Sequence, residues 1–222
     1  VKLELVTAAA LLPATVAGIG PDVALNMADT EPVNYAIRNA VIDLTRFPDY
    51  QEVAARFLPE RLVPMTFDGK VYALPETQTF NVVFYRKDVL ADLGLSVPKT
   101  WEDIIAAIPV LQKNNMSFAI PVSTTALPQA GVSSYYTMLY QMGGQLYKDG
   151  GKTSDMDSET GLAAFKQWTN LYVNYDLPKE YNFLDRFRTG EYPLIMADFT
   201  NFNSLTVSAP EIRGLWGFTL VP

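Results

Sequence analysis

The order of apolar and polar positions along the chain predicts strands alternating with helices. Val1–Val6 alternates as a half-buried strand does, and the Ala- and Leu-rich stretch Ala8–Ala17 that follows is closed by Gly18, which reads as strand, helix and glycine stop. After the turn Gly20-Pro21-Asp22, the short apolar run Val23–Asn26 reads as a buried parallel strand, so the chain is expected to open with a strand–helix–strand unit. Helices are expected over Val33–Ala40 and Tyr50–Leu58, and Asp68-Gly69 stands where a tight hairpin turn needs it within Phe67–Tyr72.

The same alternation continues downstream. Val82–Tyr85 is a β-branched and aromatic run, and Lys87–Leu93 before Gly94 reads as a short helix with its C-terminal glycine. Thr100-Trp101-Glu102-Asp103 has the form of a capping box with Asp in place of the usual Glu, and Ile104, Ile105, Ile108 and Leu111 follow at helical spacing. Pro109 is expected to bend that helix. Strands are expected at Ser117–Pro121, Pro193–Ala197 and Leu215–Val221. Helices are expected at Ser133–Met142, Asp157–Tyr175 (with Phe165, Trp168, Leu171 and Tyr172 inward), Phe183–Phe187 and Asn201–Ser208. The pattern is that of an α/β protein with mostly parallel sheets. No Gly-, Ser- or Pro-rich linker divides it, so any two lobes are expected to be joined by strand-like crossings.

Composition narrows the chemistry. With 222 residues, 49% of them hydrophobic and 18% charged, the chain is expected to bury a substantial core. The net charge of −7 disfavours nucleic acid and anionic membrane surfaces as partners. There is no Cys and no His, which removes thiol nucleophiles, disulfides, imidazole bases and the usual zinc ligands together. No apolar run approaches the ~20 residues a membrane-spanning helix needs. The sequence begins without Met or a basic-then-apolar leader, and it reads as an excised portion of a longer precursor.

Gly18-Ile19-Gly20 lacks the third glycine of a dinucleotide fingerprint, and no phosphate-binding loop motif occurs, so no nucleotide cofactor is expected. Asp155-Met156-Asp157-Ser158-Glu159 lacks the glycine and final Glu of a calcium loop and is expected to cap the following helix instead. Carboxylates such as Asp29, Glu76 and Asp198 leave a glycosidase acid–base pair open, since that chemistry needs only two carboxyl groups at the right separation. Phe199 and Phe202 stand with Asp198, Asn201 and Asn203 directly after the strand ending at Ala197, where open α/β sheets place ligands. Flat rings beside amides and carboxylates suit a sugar, whose C–H face they cover and whose hydroxyls they bond. The same two Phe residues also fit simple core packing. Glu76-Thr77-Gln78-Thr79 is a second polar cluster at an element boundary, read equally as a solvated loop.

The segments Gly20–Val23, Gly69–Pro75, Tyr85–Leu90, Leu93-Gly94 and Pro98–Asp103 occur in an order that resembles the extracellular solute-binding proteins of family 1. These are the receptors of ATP-binding-cassette sugar importers related to maltose-binding protein. Phe187–Glu191 with Met196, and Leu215–Pro222, resemble the same family's second-lobe signature and return strand. The resemblance implies a type II periplasmic-binding-protein-like α/β fold, truncated at both ends, whose two lobes close on a ligand by hinge bending. The first lobe would cover 1–78, the second 79–218, and 219–222 would lead back toward the first. Ligand contacts carried over residue by residue are Asn26, Asp29, Glu76, Gln78, Thr79, Ser133, Tyr136, Asp198, Phe199, Asn201 and Phe202. The family often has Trp where this chain has Phe199 and Phe202. The implied protein is a monomeric, non-enzymatic, periplasmic or surface-anchored lipoprotein receptor that delivers a carbohydrate to an importer permease. A glycoside hydrolase, a surface module without transport, and a peptide-like or polyol ligand are the alternatives.

Overall fold

The computed structural model describes residues 2–28, 30–76, 80–121 and 128–222, with backbone only at 8 and 128–132. Val1–Gln78 and Thr79–Pro222 form two compact units.

In the first unit, α1 (Ala8–Val16) ends ahead of Gly18, whose φ of +76° is the left-handed stop that glycine supplies without strain. The helix α2 (Glu31–Ile37) carries Pro32 in its first turn and ends before Asn39, which turns left-handed at φ +54°. Two short helices follow, α3 (Tyr50–Ala54) and α4 (Pro59–Leu62). The helix expected to reach Leu58 ends at Ala54, and Leu58, which precedes Pro59, is held extended at ψ 135°. The strands β1 (Thr66–Phe67) and β2 (Lys70–Val71) form an antiparallel hairpin through Asp68 and Gly69, both at positive φ as a type I′ turn demands.

The expected opening strand–helix–strand unit does not form. Lys2–Val6 and Val23–Asn26 are outside any strand, with Leu3 and Leu5 89% and 101% exposed and Val23 and Leu25 exposed as well. A strand takes its hydrogen bonds from a neighbour, and the only ladder of this unit among the described residues is the β1–β2 hairpin.

The second unit runs β3 (Asn81–Arg86), α5 (Lys87–Asp92), α6 (Trp101–Lys113), β4 (Phe118–Ala119), α7 (Pro128–Gln141), β5 (Tyr147–Lys148) and β6 (Thr153–Ser154). It continues with α8 (Glu159–Val173), α9 (Phe183–Arg188), β7 (Leu194–Asp198), α10 (Asn201–Ser208) and β8 (Trp216–Leu220). Its main sheet has the order β4-β7-β3-β8. Only β4 and β7 are parallel; β3 runs antiparallel to both β7 and β8, which corrects the expectation of mostly parallel sheets. The single helix α10 returns the chain so that β7 and β8 share a direction, whereas α5 and α6 together reverse it between β3 and β4. Thr219 and Leu220, the start of the expected return segment, pair with Val83 and Val82.

Both faces of this sheet are covered, and adjacent residues part company by face. Val83, Phe118, Leu194 and Met196 join a core with Ile104, Ile108, Leu111, Leu139 and Leu171. Val82, Phe84, Ala119, Ile195 and Ala197 join another with Phe187 and Leu205. That is why these strands read as continuous apolar runs. The capping box of α6 forms as expected: Thr100 Oγ1 accepts from the Asp103 N–H at 3.1 Å, and Asp103 Oδ2 accepts from the N–H groups of Thr100 (3.0 Å) and Lys99 (2.9 Å). These donors hold the Asp103 carboxyl below its usual pKa. Pro109 is accommodated within the single helix α6.

In α8 the buried face is set by Gly161, Ala164 and Leu171, with Trp168 and Tyr172 half-buried against the core. Phe165, expected inward, is 47% exposed and rests edge-on against Tyr135. Ser158 caps α8 by accepting from the Gly161 N–H at 3.1 Å. Asp155 instead pairs with Lys148 at 3.4 Å.

Candidate ligand-binding site

Four of the expected contact residues come together at the end of β7. The ladder between β3 and β7 pairs Asn81 with Asp198, and the Phe199 N–H extends it by donating to the Phe80 carbonyl at 2.9 Å. Past that point Asp198 Oδ1 accepts from the Thr200 N–H (2.8 Å) and hydroxyl (2.6 Å), and Asn201 Nδ2 donates to the Asp198 carbonyl at 2.9 Å. A short carboxylate bonding the backbone two residues on is the means by which Asp fixes a turn. Asp198 and Asn201 therefore set the geometry of the loop that presents the aromatic residues.

Those aromatics form a stack. The Phe80 and Phe199 rings lie 5.2 Å apart at 9°, and Phe199 and Phe202 5.7 Å apart at 19°. Phe218 meets Phe199 edge-on at 5.2 Å and 71°, and Trp216 meets Phe202 edge-on at 5.5 Å and 70°. Each such pair contributes roughly 0.5–1.5 kcal/mol beyond the area it buries, so the rings hold one another in place. Phe80 remains 47% exposed, so one end of the stack is open to a ligand. Phe199 and Phe202 also pack against the core cluster around Phe84, as the core reading of this pair expects.

Phe80, Trp216 and Phe218 were not anticipated as part of this cluster. The period-two spacing of Trp216 and Phe218, which puts both on one face of β8, is the signal that marks them. Ser133 and Tyr136 lie on α7, which reaches β3 through a 3.4 Å hydrogen bond from Asn81 Nδ2 to Thr137 Oγ1. Tyr136 packs against the larger core cluster, with its ring 5.7 Å from that of Tyr135.

In the first unit, the Glu76 carboxylate accepts the Asn26 N–H at 2.6 Å and anchors Asn26 in its left-handed conformation, φ +57°. Both residues line a cavity of about 680 Å³ whose walls include Leu11, Val23, Leu25, Met65 and Tyr72. Among the described residues its ionisable lining is acidic, Asp22, Glu31 and Glu76, with no Lys or Arg. Tyr35, only 4% exposed, lines the same cavity, and among the described residues its hydroxyl meets no partner in good hydrogen-bonding geometry. Burial, with the Glu31 charge adding to it, pushes the pKa of this phenol up, so it stays a neutral donor. Asp29, Gln78 and Thr79 lie outside the described residues.

The sequence matches the bacterial extracellular solute-binding protein family over residues 6–209, and the chain belongs to that family. No curated protein matches the sequence.

Solved structures share the fold. An ABC transporter solute-binding protein from Thermotoga lettingae bound with alpha-D-tagatose is 24% identical, with a TM-score of 0.76 over 96% of this chain and 57% of that one. The cyclic alpha-maltosyl-1,6-maltose binding protein of Arthrobacter globiformis is 18% identical, with a TM-score of 0.80 over 96% of this chain and 54% of that one. A solute-binding protein of Agrobacterium radiobacter in complex with ribitol is 22% identical, with a TM-score of 0.71 over 100% of this chain and 59% of that one. The chain thus spans little more than half the length of these proteins. Among the described residues, no helix is long and apolar enough to cross a membrane.

Proposed function

We propose that this protein is the receptor of an ATP-binding-cassette importer, which captures a neutral carbohydrate outside the membrane and passes it unchanged to the permease. The observation that carries this reading is the Phe80–Phe199–Phe202 stack, set beside the turn built by Asp198 and Asn201. Rings ordered by their neighbours offer a flat apolar surface to a sugar's C–H face without first having to be immobilised, which lowers the cost of binding. Three structural neighbours named for tagatose, ribitol and a cyclic maltosyl-maltose ligand support a polyhydroxylated solute.

Neutrality follows from charge. Asp198 is the ionisable residue of the loop that presents the stack. A sugar phosphate or uronate would meet repulsion there, whereas neutral hydroxyls find acceptors. The protein acts as a monomer at the cell surface or in the periplasm, and binding rather than turnover is its activity.

A thermal-shift screen of the full-length protein against neutral, acidic and phosphorylated sugars tests this. A neutral sugar at a hundredfold excess over its Kd adds about 2.7 kcal/mol, or roughly 5–10 °C in Tm. Phe199→Ala should abolish most of that shift; because the ring also packs against Phe80, Phe202 and Phe218, the variant's own ligand-free melt falls as well, and the shift is read from that lower Tm. A shift given only by acidic sugars, or one unchanged by Phe199→Ala, contradicts the reading.

A further inference from the structure

The second unit carries a hollow of about 410 Å³ between α10 and β8 whose chemistry is opposite to that of the proposed sugar site. Its apolar wall is made by Tyr85, Phe202, Leu205, Trp216 and Phe218, and two cations, Lys87 and Arg213, line it as well; Phe202 stands between it and the sugar stack, stacked on Phe199 and edge-on to Trp216. Gly217 helps shape the wall: a side chain there would meet the Tyr85 hydroxyl at 2.8 Å, so the glycine lets the tyrosine ring lie across the strand.

The charges around this hollow do not cancel. Asp88 is held by Arg86 in a two-point contact, Nε to Oδ1 at 2.9 Å and Nη2 to Oδ2 at 2.6 Å. Arg86 is itself buried and also donates to the carbonyls of Phe187 (3.1 Å) and Arg188 (2.9 Å). Glu211 is taken by Arg188, Nε to Oε1 at 2.6 Å. Asp88 and Glu211, which lie within two residues of Lys87 and Arg213 in the chain, therefore each have an arginine. Among the described residues, Lys87 and Arg213 form no ion pair, and they leave a local positive excess on a chain whose net charge is −7.

We infer that this hollow is a second binding site, for an organic carboxylate with a ring-sized apolar body. The carboxylate is bound by Arg213 and Lys87, and the body lies against Trp216, Phe202 and Leu205. A guanidinium offers paired N–H donors that match the two oxygens of a carboxylate, and Lys87 adds a point charge. The volume falls within the range of small-molecule sites. Bare phosphate would gain only the charge contacts, and an uncharged analogue only the apolar ones. Arg86 and Arg188 are engaged elsewhere and serve to keep Asp88 and Glu211 from neutralising the site.

The test is a ligand-observed NMR titration of the full-length protein with phenylacetate, phenylacetamide and inorganic phosphate, repeated with Lys87→Gln, Arg213→Gln and the double variant. Phenylacetate is expected to bind about tenfold or more tightly than either control, to weaken about tenfold in the double variant, and to persist in the presence of a saturating neutral sugar. Both cations are exposed, so the variants should melt like the parent. Equal binding of phenylacetamide, unchanged binding by the double variant, or displacement by the neutral sugar would overturn the inference. So would binding of an acidic peptide such as hexaglutamate in the absence of any phenylacetate binding, which would make the patch a protein-docking surface.

Discussion

The two units contrast in how their apolar residues are used. In the second, β3, β7 and β4 are covered on both faces, and Phe84, Phe118, Leu139 and Ile195 have no exposure at all. In the first, the strand-like segments Lys2–Val6 and Val23–Asn26 join no ladder among the described residues; Leu3 and Leu5 face solvent, and Val23 and Leu25 are exposed at the wall of the open cavity. Both places carry the apolar residues of a strand, in Lys2–Val6 alternating with Lys2 and Glu4. The difference is the presence of a hydrogen-bonded neighbour, which turns an apolar run into a strand and gives its side chains a surface to bury against.

The sharpest way to break this comparison is at a residue whose burial depends on the sheet. Phe118→Ala should cost about 3–5 kcal/mol in urea denaturation, because it empties a fully buried position at the parallel β4–β7 pairing. A cost below about 1 kcal/mol would mean that this core is loosely packed. A smaller effect is expected for Thr100→Ala, which removes the acceptor of the Asp103 N–H and breaks a reciprocal pair at the start of α6. About 1 kcal/mol should be lost, and Thr100→Ser should recover most of it. The smallest effect belongs to the first unit. Leu5→Ser should change stability by less than about 0.5 kcal/mol in this chain, since the side chain it replaces is fully exposed. If Leu5→Ser is as harmful as Phe118→Ala, the contrast between the units fails.

What could be read from the sequence follows the same division. The capping box at Thr100–Asp103, the left-handed pair Asp68-Gly69 and the bounds of α10 at Asn201 and Ser208 were all legible, because each rests on interactions within a few residues of chain. Strand direction was not. The antiparallel course of β3 depends on which strand lies beside it, and that is not written in a local pattern. Val23–Asn26 has the composition of a buried strand but no partner among the described residues.

The candidate site was legible to the same degree. Asp198, Phe199, Asn201 and Phe202 are close in sequence and could be seen as a cluster after the strand. Phe80 joins them only through the register that pairs Asn81 with Asp198, and Phe218 only through the β3–β8 ladder. The buried hydroxyl of Tyr35 carried no signal in the sequence, since an aromatic residue four positions into a helix reads simply as core. The positive excess at the Lys87–Arg213 hollow was also hidden, because it depends on Asp88 and Glu211 being taken by Arg86 and Arg188.

The most direct test of the account is a calorimetric titration of the full-length protein with the neutral sugar that gives the largest thermal shift, followed by analysis of the recovered sugar. The account predicts saturation at one sugar per chain, a loss of affinity of about tenfold or more in Phe199→Ala, and sugar recovered intact. Recovery of hydrolysed sugar, or undiminished binding by Phe199→Ala, would contradict it.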